Sequence, residues 1–201
     1  MNSGIESLSA ARRTRLHRIS AAQFLASLES SCSVDELAQI DWNALEAVPH
    51  WCLAERATTN RLQLVSGAVL LAPFIVQWLD GKRIKQARTL VGDHYFDAAM
   101  RVGASRVSTE SYQSSEPVPE LLASAGAAVI VGAVEHPAIQ KILSKQFPMD
   151  VKQLDENVAT SVYRLALEII DQLQVSTAPI ENRASRTEAG TCVPITDEAV
   201  S

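Results

Sequence analysis

The side chains best suited to chemistry in this sequence are scattered. His17, His50, His94 and His136 stand apart, and none has a second ligand at the i+4 spacing that would place two on one helical face. Asp93, His94 and Asp97 form the nearest thing to a ligand cluster, and a helical His94/Asp97 pair would put two donors side by side. The plainer reading of Asp93 is a helix cap, with His94 on a solvated face. Ser66-Gly67 lies in L-V-S-G-A, which lacks the glycine spacing of a nucleophile elbow. Gly126 and Gly132 flank A-A-V-I-V, but no Lys-Ser or Lys-Thr follows to hold a phosphate, so close helix contacts are expected there. Glu110, Glu116 and Glu120 fall in or beside a Ser/Pro-rich loop and read as solubilising charges. The cysteines Cys32, Cys52 and Cys192 are too far apart for a zinc knuckle or a disulfide framework, and a reducing compartment suits them. No catalytic residue, cofactor or metal is expected.

The elements that carry these residues are helical. Of the 201 residues, 47% are apolar but only 5% aromatic, and the excess is Ala, Leu, Val and Ile. With few glycines, that composition favours helix packed on helix. The net charge of −5 argues against a broad nucleic-acid surface. The expected fold is mainly α, a single compact multi-helix domain over residues 16–175. A flexible basic leader is expected over 1–15, preferred to an organellar transit peptide despite Arg12, Arg13, Arg15 and Arg18. A disordered tail is expected over 176–201.

Along the chain, a helix is expected from Ile19 to Leu28. Ser33 with Glu36 three residues on forms a capping-box pattern, opening a short helix to about Ile40. Asp41 caps a further turn through Trp42, Leu45 and Val48, which Pro49 stops. From Trp51 to Leu71 the apolar residues are too dense for a surface helix. Pro73 is expected to break this helix, with Phe74–Leu79 a short helical piece and Asp80-Gly81 a turn. Lys82 to Val91 reads as a basic amphipathic helix ended by Gly92, and His94–Val102 as the next. Residues 104–119 form a connecting loop. For 120–134 a helical rhythm is preferred to a buried strand, though the run A-A-V-I-V-G-A-V suits either. Pro137 opens a helix to Gln146, and Phe147-Pro148 ends it. The clearest amphipathic helix runs from Asp155 to Gln174. The run 62–79 is at the lower length limit for a membrane span, but Pro73, Gln63, Gln77 and Ser66 count against one.

Two blocks resemble a known family. Trp51 and Arg61, then Ser66, Gly67, Ala68, Leu70, Leu71, Ala72 and Pro73, then Asp80 and Gly81, follow the order of a central signature. The second block is the Ala-rich segment leading to His136-Pro137-Ala138 and, one helix later, Phe147-Pro148. Both are similar to the K subunit of bacterial type III secretion systems (the YscK/SctK/OrgA-like family), nearest its rhizobial nodulation-protein branch, over about residues 50–150. The signature is apolar and turn-forming, with no chemical fingerprint. Phe74 and Val76 stand where the family pattern leads one to expect more basic residues.

The resemblance implies a cytoplasmic, non-enzymatic subunit of the sorting platform, peripheral to the inner-membrane apparatus. Such a subunit bridges the cytoplasmic domain of the inner-membrane ring protein to the pod built by the Q subunit, without inserting in the membrane. Charge clustering beside the Asp80-Gly81 turn points to Trp78, Asp80, Lys82, Arg83, Lys85 and Arg88 as the partner-binding surface. The alternatives are an α-helical ligand binder or enzyme with a pocket near His94 and Tyr95, and a peripheral membrane protein.

Overall fold

A computed structural model describes residues 3–28, 35, 39–41, 44–103, 116–147 and 154–177. Among them seven α-helices have described bounds, and no strand occurs. They are α1 (Ser3–Ser27), α2 (Arg56–Ile75), α3 (Gly81–Val91), α4 (Asp93–Gly103), α5 (Val118–Gly132), α6 (Pro137–Ser144) and α7 (Glu156–Thr177). Two 3-10 turns, Ala44–Ala47 and His50–Leu53, link α1 to α2. Helix α2 is the axis of the domain and packs against α3, α4, α5 and α7. Its residues Val65, Ala68, Val69, Leu70 and Leu71 are fully buried. The run that approaches membrane-spanning length is therefore core helix as far as Ile75, and no described helix is long and apolar enough to cross a membrane.

The crossing of α2 and α5 explains why both carry glycine. A Cβ on Gly67 would lie 2.2 Å from the Leu122 carbonyl oxygen, and one on Gly126 would lie 1.9 Å from that of Gln63. The contact is reciprocal, since each glycine faces the carbonyl four residues before the other. Backbones touch directly, and Gln63 adds a bridge by donating from Nε2 to the Ala123 carbonyl at 2.7 Å. Residues 126–132 are thus helix, and Gly132 makes a second close approach, 2.9 Å from a built Cβ to Ala159 on α7.

Pro73 does not break α2, which continues to Ile75. Proline removes one helical donor, the one that would serve the Val69 carbonyl. That oxygen lies against Gly103 at the end of α4, where a Cβ would be 2.4 Å away, a spacing that admits a weak Cα–H···O contact. With the loss confined to the last turn and covered by a neighbour, the helix survives. Phe74–Leu79 is correspondingly not a separate helix. After Ile75 the chain leaves through tight turns, Gln77 N–H donating to Phe74 and Trp78 N–H to Ile75.

Other boundaries shift for local reasons. Helix α1 starts at Ser3, so the stretch expected to be a flexible leader is helical from that residue. Its Ala, Arg and Leu are strong helix formers. Helix α3 begins at Gly81, because Asp80 is itself the N-cap and accepts from Lys82 N–H at 2.8 Å. Gly92 sits at φ +92°, ends α3 by donating to Arg88, and accepts the first bond of α4 from Phe96. Asp93 is therefore inside α4 and not its cap. Helix α5 starts at Val118, two residues before the expected Glu120, with Pro119 in its first turn. Asp41 does cap the first 3-10 turn, accepting from Ala44 N–H at 2.6 Å. The expected capping box at Ser33 and Glu36, Trp42, most of the 104–119 loop, Pro148 and the tail beyond Thr177 lie outside the described residues.

Candidate functional site

The corner between α2 and α3 is the most unusual surface in the domain. Along it, Val76 is 64% exposed, Trp78 9% and Leu79 102%. The chain turns one apolar side chain inward and leaves two in solvent. Trp78 is held in place by Phe74, edge-to-face with centroids 6.1 Å apart, and by the Arg83 guanidinium 4.5 Å above its ring. Arg83 in turn donates to the Glu116 carbonyl at 2.9 Å, tying the corner to the start of α5. Together with the Asp80 cap, these contacts fix the corner from both sides. The exposed apolar tip is therefore presented on a braced turn.

This arrangement divides the expected partner-binding residues. Lys82 and Lys85 are exposed on α3, and Asp80 is exposed while capping. Trp78 is not a solvent-facing rim, because the Arg83 stack covers it. Arg83 and Arg88 are likewise not part of a free basic face. Arg88 donates to Asp97 at 2.5 Å, lies 3.9 Å from Asp93 and sits 5.4 Å over the Phe96 ring. It bolts α3 to α4. Reading Arg83 and Arg88 as part of the partner-binding surface leaves out Glu116 and α4, which supply their partners. What that reading missed is the exposure of Val76 and Leu79. Sequence shows them as apolar residues in an apolar run, and only the turn geometry separates them from Trp78.

The residues that carry the family resemblance are mostly architectural. Gly67 and Leu71 lie in the α2 core, and Pro73 in its last turn. Trp51 is buried in the second 3-10 turn, whose carbonyl accepts from Thr59 Oγ1 at 2.9 Å. Arg61 lies 5.4 Å over Tyr95, joining α2 to α4. His136 and Pro137 form the N-cap and first residue of α6. Gly81 alone has no steric reason to be glycine, since a Cβ there meets nothing within 4 Å and its φ is not positive.

Among the described residues three clefts bear on function. The first, about 580 Å³, is lined by Phe24, Trp51, Thr59, Asn60, Gln63 and Phe147 among others. Cys52 lies on its wall, and burial pushes its thiol from 9.0 up to about 12, with a backbone hydrogen bond opposing. It is protonated at neutral pH and a poor nucleophile. Burial also raises the Tyr163 hydroxyl, with a smaller push from Cys52. A second cleft of about 530 Å³ lies between α5 and α6 beside Leu154, and a third of about 320 Å³ holds His17, His50, Glu46 and Arg13. The two imidazoles there are 4.5 Å apart, but His17 Nε2 is engaged by the Val48 carbonyl and Glu46 by Arg18. His94 is exposed, and neither it nor Tyr95 lines any of the three. Among the described residues no three His, Cys, Asp or Glu side chains converge as metal ligands.

No protein-family model matches the chain, and no curated protein or solved structure matches it significantly.

Proposed function

We propose that this chain is a non-enzymatic cytoplasmic adaptor of a bacterial type III secretion sorting platform. In this role it joins the cytoplasmic domain of the inner-membrane ring protein to the Q-subunit pod. The observation that carries an adaptor role is the α2–α3 corner, where Val76 and Leu79 stand in solvent on a turn fixed by Trp78, Arg83 and Asp80. Apolar side chains on a backbone that is already fixed lose little backbone freedom on docking. Lys82 and Lys85 beside it would steer an acidic partner surface. The assignment to this secretion machine rests on the sequence resemblance over residues 50–150.

Co-purification tests the reading. The chain, expressed with the ring-protein cytoplasmic domain and the Q subunit, should elute as a stoichiometric complex by size exclusion with light scattering. Val76→Asp with Leu79→Asp should abolish one of the two contacts, and Lys82→Glu with Lys85→Glu should weaken it about tenfold at low salt. A monomer that ignores both proteins overturns the assignment.

A further inference from the structure

The outward face of α1 is a second unpartnered surface. Residues 7–28 contain four arginines and no Asp or Glu, a local charge of +4 in a chain of net charge −5. Of these arginines, Arg18 is engaged by Glu46, and Arg13 lines the cleft with His17 and His50. Arg12 and Arg15 are exposed, and no ion pair reaches either among the described residues.

Helical spacing sets these two beside apolar residues. Ala21, Leu25 and Leu28 form the buried stripe of α1. Arg12, Leu16, Ile19 and Gln23 follow one another at steps of four, three and four on the opposite side, and Arg15 is four before Ile19. Leu16 is 55% exposed and Ile19 39%. The exposed stripe is thus two apolar anchors at i and i+3, with an arginine one turn before each. Residues 10–16 are all exposed.

We infer that this stripe is a docking surface for a protein groove with an apolar floor and an acidic rim, received as a helix in a groove. Leu16 and Ile19 supply the apolar contact, and the forked guanidinium groups of Arg12 and Arg15 take carboxylates on the rim in bidentate pairs. A bilayer is the weaker match, because two aliphatic side chains followed by Gln23 give little apolar surface to insert. The surface rests on α1 alone and does not depend on the secretion assignment. Within that assignment it would be the second contact that a bridging protein needs.

The test uses the full chain and a fluorescently labelled antiparallel helix pair whose groove has a leucine floor and a glutamate rim, followed by anisotropy. Saturable binding is expected that weakens as salt rises. It should fall at least tenfold in Arg12→Glu/Arg15→Glu and in Leu16→Asp, and stay unchanged in Arg164→Glu, an exposed arginine on α7. These positions are all exposed, and circular dichroism confirms that each variant folds. No saturable binding, or equal binding by the α1 variants, overturns the inference. So does flotation of the chain with vesicles of 30% anionic lipid that Arg12→Glu/Arg15→Glu abolishes, which assigns the stripe to a membrane surface. Concentration-dependent dimers lost in the same variant assign it to a second copy and overturn it equally. Failure to bind the ring protein or the Q subunit would sink the secretion assignment and leave this result standing.

Discussion

Residues 62–72 and 74–79 are both rich in large apolar side chains, yet they meet different fates. The first stretch disappears into the crossing of α2 with α5, where Gly67 and Gly126 let two backbones touch. The second turns out of the domain and leaves Val76 and Leu79 in solvent while burying Trp78. Apolar content alone does not separate them. What separates them is whether another element can come close enough to cover the side chains. Small residues on α2 and α5 permit that approach, whereas past Ile75 the helix ends and, among the described residues, no element covers Val76 or Leu79.

The hardest test of this contrast is to close the approach. Gly126→Val should drive a side chain into the Gln63 carbonyl, a backbone atom that cannot swing aside. A loss of about 3 kcal/mol or more is expected, at or above the usual range for overpacking. For a chain of this size that is a fall of roughly 6–12 °C in Tm. Thermal melts would settle it, and a variant that melts with the parent would mean the helices are further apart than described.

At the corner, the corresponding test removes the brace. Trp78→Ala should cost about 3 kcal/mol, the low end for deleting a buried tryptophan, because its neighbours Phe74 and Arg83 can partly close over the gap. Arg83→Ala should cost about 1 kcal/mol through the lost stack. Urea unfolding of both variants would rank them. Equal losses would show that Arg83 acts mainly through its bond to the Glu116 carbonyl.

A third measurement separates the buried side of the molecule by pH. The Cys52 thiol ordinarily titrates at 9.0 and is pushed up to about 12 in the fold, so the folded state holds its proton more tightly than the unfolded one. Between those values the unfolded state binds fewer protons, and stability must fall as pH rises. Below pH 9 the group contributes no slope. The parent should therefore lose stability between pH 9 and 12 faster than Cys52→Ala, measured by urea midpoints across that window. Parallel curves would mean that water reaches the thiol from the groove beside Trp51.

Much of the scaffold was legible because its signals are local. The 3.6-residue rhythm of α7, the Asp41 cap and the Gly92 stop depend on neighbours within a turn or two. Gly126 announced a close contact because a glycine amid Ala and Val needs a reason. The misreadings share another cause. Pro73 looked like a breaker until Gly103 supplied cover for the Val69 carbonyl from α4. Arg83 and Arg88 looked like free cations until Glu116, Asp93 and Asp97 came beside them. Trp78 and Leu79 are adjacent and both apolar, and only the turn decides which one is buried. In each case the deciding partner is distant in sequence or set by a backbone angle, and no periodicity encodes it.

The smallest expected effect sharpens the comparison most, because it uses the same substitution at two glycines of one run. Gly67→Ala should place a methyl 2.2 Å from the Leu122 carbonyl and destabilise clearly, whereas Gly81→Ala places it in open space. Gly81 is the first residue of α3 with ordinary backbone angles, so alanine fits its conformation and removes freedom from the unfolded chain. The expected change is a gain of up to about 0.5 kcal/mol, since a first-turn position benefits less than a helix interior. Binding through Leu79 should be unaltered if the Asp80 cap holds the corner. A measurable loss of stability in Gly81→Ala would show that the turn samples a second conformation reserved for glycine. The exposed tip would then be a moving element, and the argument for a preorganised contact at Val76 and Leu79 would fail with it.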